Sequence, residues 1–313
     1  MISGKSIKVA NGGVRLDAAL LVAFPGTTRA LVREAVAGGD VLVNGAPAPK
    51  GRKLRAGDVL EVKSLAEASD NMVAPNHAID VSVVFEDSSI VACDKPPGMP
   101  VQPISRHETG TLANGVVARW PECASAGDSP LAAGAVHRID ADTSGLVLVA
   151  KTRRAFDSLR AQFAAHEVEK TYLALVEGAV AVGGTLECDL AHDPTLSFCR
   201  MVDADRNRLS REQRTGLRRY HAVTSYTPIA HTACGEEERT LLEVRILTGV
   251  THQIRAQLAF AGMHIVNDRL YGAFAVEGMS GHLLHSLSAR FVHPESGEKT
   301  EVRTQFPEWA RIA

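Results

Sequence analysis

His137-Arg138-Ile139-Asp140-Ala141-Asp142-Thr143-Ser144-Gly145 runs directly into Leu146-Val147-Leu148-Val149-Ala150. The apolar run, with a glycine at its edge, reads as a buried strand and places the polar cluster on a loop at the strand's mouth. His137, Arg138, Asp140 and Asp142 all fall on that loop. Loops held by a rigid scaffold are where binding and catalytic groups gather. An ordinary polar turn, with Asp142, Thr143 and Ser144 bonding their own backbone, accounts for the same residues. On local chemistry alone both readings stand.

Working outward, 313 residues suffice for about two domains. A hydrophobic content of 45% with 22% charged residues is that of a globular chain. The apolar run Ala18 to Phe24 is far short of the ~20 residues of a membrane span. Met1 to Gly13 hold no apolar signal core, so a cytoplasmic protein without membrane contact is expected. The cysteines (Cys93, Cys123, Cys188, Cys199, Cys234) lack the two-residue gap of zinc or redox motifs. Neither a structural metal nor a disulfide framework is expected.

Net charge is -2, which argues against binding nucleic acid by uniform basicity. The distribution is more telling: residues 1 to 62 carry nine Lys and Arg against five Asp and Glu, whereas the whole chain has 34 against 36. A local positive excess suits phosphate contact. Within that region Arg15 to Phe24 has helical spacing and Pro25-Gly26 ends it; Thr27 or Thr28 caps a second helix running to Gly38-Gly39. Arg29 and Arg33 share one face of this helix, Leu31 and Ala35 another. Val41-Leu42-Val43, an Asn44-Gly45 hairpin turn and Val59 to Val62 follow, with Lys50, Arg52, Lys53 and Arg55 between the strands. The order of elements, with Arg15-Leu16-Asp17, Val41-Leu42-Val43-Asn44-Gly45 and Ala56-Gly57-Asp58, resembles the S4 type of small RNA-binding module over residues 12 to 62. The resemblance implies that Arg29 and Arg33 face an RNA backbone; without it they read as a solvated helix face.

Residues 63 to 77 lack periodicity and read as a linker before a second domain, 78 to 313. Val81 to Asp87 and Ile90 to Asp94 read as strands joined by a tight turn, and Lys95 to Val101 as a rigid loop. Arg153 to Phe163 is a helix with Phe156, Leu159 and Phe163 on its core stripe. Alternation from Val168 to Val176 gives a strand presenting Lys170 and Tyr172 on one face. Thr251 in Thr248-Gly249-Val250-Thr251-His252-Gln253-Ile254-Arg255 is placed to cap a helix reaching Phe260.

These pieces together resemble the RluA-type pseudouridine synthases. Asp94-Lys95-Pro96-Pro97-Gly98 is similar to the family's first motif, with Gln102 where a histidine is usual. His137 to Asp140 matches its aspartate motif with Ile139 in place of leucine, Lys170-Thr171-Tyr172-Leu173 its lysine-x-tyrosine-leucine motif, and Thr248 to Arg255 its third. The fit extends through His264 to Gly272, with Val250 where the family has arginine and Asn267 where it has glycine.

The resemblance implies an α+β catalytic domain with a mixed, largely antiparallel sheet and a cleft. It makes Asp140 the catalytic aspartate, Arg255 its ion-pair partner, and Tyr172 the residue against the target base, with its hydroxyl a candidate to remove the carbon 5 proton. Arg138, His137, Lys170, Thr251 and His252 join the substrate-binding set: Arg138 as phosphate holder or filler of the gap left by a flipped base, His137 as loop orienter. The implied reaction isomerises uridine in RNA after base flipping, without cofactor or metal. Large-subunit ribosomal RNA is the expected partner, with transfer RNA the alternative and no obligate protein partner expected. A non-catalytic RNA-binding or ribosome-assembly factor on the same fold is the rival reading. Outside the motifs, Arg206, Arg208, Arg211, Arg214, Arg218 and Arg219 lie within residues 203 to 219 and read equally as an RNA-contacting arm or a solvated loop.

Overall fold

The structure, a computed structural model, describes all residues except 68, 69, 71, 197, 198, 206–215, 235, 236, 312 and 313. Arg206, Arg208, Arg211 and Arg214 of the arginine-rich segment therefore lie outside the described residues. The chain divides into two compact units, Met1–Ala74 with Ile104–Glu108, and Pro75–Pro103 with Thr109–Ala313.

In the first unit, strands β1 (Ile2–Lys8), β2 (Val41–Val43), β3 (Ala46–Pro47) and β4 (Val59–Leu65) form an antiparallel sheet in the order β1-β4-β2-β3. Helices α1 (Leu16–Ala23) and α2 (Arg29–Ala37) bury Leu16, Leu20, Val32 and Val36 against Val41, Leu60 and Val62. Thr28 caps α2, its Oγ1 accepting from the Leu31 N–H at 3.3 Å; the Thr27 hydroxyl donates instead to the Ala66 carbonyl. Asn44 and Gly45 take φ of 54° and 78°, the left-handed pair that a two-residue hairpin demands. The unit is wider than residues 12 to 62, because β1 forms its sheet edge and β4 runs into the segment read as linker.

The second unit is built on a ten-stranded sheet of β5 (Val83–Glu86), β6 (Ile90–Lys95), β7 (Ser144–Ala150), β8 (Glu169–Glu177), β9 (Gly184–His192), β10 (Met201–Asp203), β11 (Tyr220–Cys234), β12 (Glu237–Ile246), β13 (Leu284–Val292) and β14 (Lys299–Arg303). Its order is β10-β9-β11-β12-β8-β13-β7-β6-β5, with β14 on β13. The β13/β7 pairing is parallel and the other pairings among described residues are antiparallel, so the sheet is mixed and largely antiparallel. Helices α3 (Leu112–Arg119), α4 (Arg153–Ala164) and α5 (Gln253–Phe260) cover it.

Strand β7 explains the continuous apolar run. Leu146, Leu148 and Ala150 enter one core with Phe156 and Leu159 of α4, while Val147 and Val149 enter another with Tyr172 and Ile254. A strand buried on both faces loses its alternation. At its mouth β7 meets β13 closely: Gly145 stands opposite Ser286 at φ 105°, and a Cβ there would lie 2.2 Å from the Ser286 carbonyl oxygen. Only glycine fits. Among the described residues no helix is long and apolar enough to cross a membrane, and no group of three or more His, Cys, Asp or Glu is placed to hold a metal.

Candidate active site

The loop before β7 is fastened from several sides. A backbone bond from Thr143 N–H to the Asp140 carbonyl, 3.2 Å, closes a turn. The Thr143 and Ser144 hydroxyls do not fold back on their own backbone: Thr143 Oγ1 meets His282 Nε2 at 2.8 Å and Ser144 Oγ meets His285 Nδ1 at 2.8 Å. The polar-turn reading thus describes the backbone but not the side chains. Lys95, fully buried at the end of β6, donates to the carbonyls of Pro96 and Ala141 at 2.8 and 2.7 Å. Burial without a contacting carboxylate lowers its ammonium to about 8.

Asp140 projects from this turn into a cleft of about 540 Å³ lined also by His137, Arg138, Lys170, Tyr172, Thr251, His252 and Arg255. Arg255 Nη1 donates to Asp140 Oδ2 at 2.7 Å, and His252 Nε2 stands 3.7 Å from the same oxygen. Oδ1 has no hydrogen-bond partner among the described residues. Burial pushes the Asp140 carboxyl up, but His252, whenever its ring is protonated, and the permanent charge and hydrogen bond of Arg255 outweigh it and hold the group below the ordinary carboxylate range. The opposite side of the Arg255 fork is occupied by Asp268, a buried carboxylate accepting from Nε and Nη2 at 2.7 and 2.8 Å. One guanidinium therefore bridges two carboxylates, and burial, which opposes its charge, is overcome by both.

The start of α5 differs from the sequence expectation. His252, not Thr251, is its N-terminal residue, in left-handed backbone at φ 52°, and no side chain caps the helix. The Gln253 side chain instead ties down the loop before the helix: its Oε1 accepts from Val250 N–H at 3.1 Å and from the Thr248 hydroxyl at 2.9 Å. Thr251 is left on the cleft wall. His252 Nδ1 meets the Tyr271 hydroxyl at 3.1 Å, and that oxygen accepts from the Met201 N–H at 2.9 Å.

Tyr172 and Lys170 lie two residues apart on β8 and both line the cleft. Burial lifts the Tyr172 phenol to about 12, against a hydrogen bond with Ser286 that lowers it. Opposite Tyr172 the β8/β13 register shifts between Ser286 and Ser288, a bulge that re-aims side chains next to the cleft. Lys170 Nζ donates to the carbonyls of Leu247 and Thr248, both at 2.9 Å, tying β8 to the loop before α5. His137 stacks on Phe163 with ring centres 4.9 Å apart, and its Nε2 accepts from the Leu148 N–H at 3.0 Å. That acceptor role requires a neutral ring, and burial beside Lys170 and Arg160 lowers it to about 3. Phe163 packs against the core as expected, half-buried, and its remaining surface lines the cleft. Arg138 is exposed on the cleft wall without an ion pair among the described residues.

Arg29 and Arg33 belong to the first unit, exposed along one face of α2. With Arg15 and Lys50 they line a surface groove of about 580 Å³. Neither has an ion-pair partner among the described residues.

Asp268, Tyr271, His282 and Lys95 complete the cleft's surroundings, and the sequence alone gave them no role. Asn267 answers the question its glycine position raised: at φ 63° it adopts the left-handed turn. Its side chain donates to the Met279 and Gly281 carbonyls and accepts from Val276 N–H, pinning the following loop.

Comparison with known proteins agrees over both units. A model of the RNA pseudouridylate synthase family matches residues 89–260, and an S4 domain model matches residues 14–60. Ribosomal large subunit pseudouridine synthase D of Xanthomonas campestris pv. campestris is 34% identical, over 95% of this chain and 86% of the relative. Its namesake from Pseudomonas aeruginosa is 30% identical, over 95% and 90%. The solved structure of human RNA Pseudouridylate Synthase Domain Containing 1 covers 75% of this chain and 87% of its own, with a TM-score of 0.58 at 21% identity. That likeness is one of fold.

Proposed function

The chain belongs to the RNA pseudouridylate synthase family, and from that premise we propose that it isomerises specific uridines of large-subunit ribosomal RNA with Asp140 as the nucleophile. The observation that carries the assignment is the Asp140–Arg255 pair at 2.7 Å on the wall of the cleft. A nucleophilic carboxylate has to stay ionised where water is scarce, and the adjacent Arg255 guanidinium favours that form against burial. With Oδ2 engaged by Arg255, Oδ1 is the oxygen free to attack. The relatives named for large-subunit ribosomal RNA support that substrate class, as does the S4 match.

The other residues take roles suited to their surroundings. Tyr172 offers a ring face for the uracil to lie against; its phenol, raised to about 12, stays protonated at neutral pH, so stacking is the role we assign it. Lys170 and His137, bonded to backbone, shape the cleft wall. Arg138, uncommitted and exposed, is placed for a phosphate or for the gap left by a flipped base. Arg29 and Arg33, with Lys50, form a basic face suited to the phosphates of the RNA backbone. No step in this scheme calls for a cofactor.

Mapping pseudouridines by carbodiimide modification and primer extension, in cells lacking the gene, tests the assignment. Loss of one or more sites in large-subunit RNA, restored by the wild type and not by Asp140→Asn, is expected. An unchanged ribosomal pattern with sites lost from transfer RNA would replace the substrate, and no loss in either RNA would overturn the function.

A further inference from the structure

The turn Asn267-Asp268-Arg269-Leu270-Tyr271-Gly272 takes no part in the scheme above, yet two of its side chains reach the groups that face Asp140. Asp268 holds Arg255. Tyr271 holds His252: their rings cross at 84° with centres 5.8 Å apart, and the Tyr271 hydroxyl lies 3.1 Å from Nδ1.

The hydroxyl's bonding decides where the imidazole proton sits. Its oxygen already accepts from the Met201 N–H, on a fully buried residue. Its own proton has His252 Nδ1 as its acceptor among the described residues, so Nδ1 is a lone pair and the ring proton is on Nε2. Nε2 faces the cleft, 3.7 Å from Asp140 Oδ2, too far for a hydrogen bond and without another partner among the described residues. Burial and the charge of Arg255 both lower the imidazole, opposed by the Asp140 charge, and the net direction is toward the neutral ring this bonding needs. Left-handed backbone at φ 52° is uncommon outside glycine, though histidine is among the residues that adopt it more readily, and here it places the ring beside Asp140 at the helix start.

We propose that His252, its proton fixed on Nε2 by Tyr271, is a catalytic hydrogen-bond donor to O2 of the target uracil. The proposal rests on Asp140 being the reactive carboxylate. When the N1–C1′ bond of uridine breaks, its electron pair stays on the base, and the negative charge spreads from N1 onto the O2 and O4 carbonyls. O2 is carried by the carbon bonded to N1 and lies on the sugar side of the ring, within reach of a donor beside the nucleophile; O4 lies across the ring. A donor aimed where charge develops, and fixed before the reaction, lowers the barrier more than it tightens binding. Tyr271 is then a positioning residue acting through the tautomer.

The test measures single-turnover pseudouridine formation by the full-length protein on an in vitro transcript of large-subunit ribosomal RNA, with nucleosides resolved by chromatography. His252→Ala is expected to lower the maximal rate by about 10²–10³-fold with RNA affinity within about twofold, and His252→Gln, which keeps an N–H donor, to recover most of that loss. Tyr271→Phe should slow the wild type but add nothing in the His252→Ala background, which a purely structural tyrosine would not do. Transcripts with 2-thiouridine, whose sulfur is the weaker acceptor, should slow the wild type and leave His252→Ala unaffected. A wild-type maximal rate for His252→Ala, or a sulfur penalty that persists in it, overturns the proposal. So does a penalty that vanishes only on 2′-deoxyuridine transcripts, which would assign the donor to the ribose hydroxyl. Absence of product from the wild type itself would fault the function, not the donor.

Discussion

The arginines of the cleft and those of the first unit are chemically the same group in opposite settings. Arg255 is buried, with every nitrogen of its fork donating to a carboxylate at 2.7–2.8 Å. Arg29 and Arg33 stand exposed on α2 with no carboxylate paired to them among the described residues. A buried fork sets geometry and charge before substrate arrives, and removing it strands the partners. An exposed, unpaired arginine contributes attraction that salt screens and that many phosphates satisfy. Chemistry and adhesion are thereby separable, and substitutions should part them.

Arg255→Ala should break the comparison most severely. It leaves Asp140 and Asp268 facing each other without a cation, at a cost of about 3–5 kcal/mol in urea unfolding along with loss of pseudouridine formation. Arg255→Lys keeps the charge but not the fork, so stability should return in larger part than activity. Gly145→Ala asks whether the loop tolerates movement: its Cβ would meet the Ser286 carbonyl, and a loss of about 1–3 kcal/mol with slowed chemistry is expected by thermal unfolding and single-turnover assay.

The pH dependence of stability is a finer probe. Asp140 has a folded pKa depressed below its unfolded value. Its contribution is therefore present above the unfolded pKa and is lost as pH falls through the folded one. The stability difference between wild type and Asp140→Asn should be level above about pH 5 and shrink as pH drops through the carboxylate range. A difference that instead shrank on raising the pH would mean a raised carboxyl.

The smallest effect per residue belongs to the exposed face. Arg29→Ala with Arg33→Ala should weaken RNA binding and reduce the slope of log affinity against log salt by about 1.4–1.8, as two lost phosphate contacts require. Single-turnover rates at saturating protein should be unchanged. A loss of maximal rate would mean that these arginines orient the substrate.

Local reading found what is written locally. The two-faced burial of β7 shows as an unbroken apolar run, the alternation of β8 places Lys170 and Tyr172 together, and Asn44-Gly45 forms its hairpin. The pairing of Asp140 with Arg255 came from resemblance, because 115 residues separate them and neither neighbourhood signals the other. Asp268 and Tyr271 were missed for the same reason, although the match through Gly272 marked their turn. Helix α5 starts one residue beyond the expected Thr251 cap, because threonine's preference for such positions takes no account of a histidine in left-handed backbone. Phe163 packs against the core as its spacing predicts, while its stacking on His137 at the cleft wall is a contact no helical period encodes.

The central claim is that Asp140 performs the chemistry and does not merely complete a binding cleft. Release of tritium from RNA labelled at carbon 5 of its uridines, by wild type and by Asp140→Asn at matched RNA occupancy, measures it directly. The account predicts release by the wild type and none above background by the variant, with RNA affinity retained. Release by Asp140→Asn at the wild-type rate would contradict it.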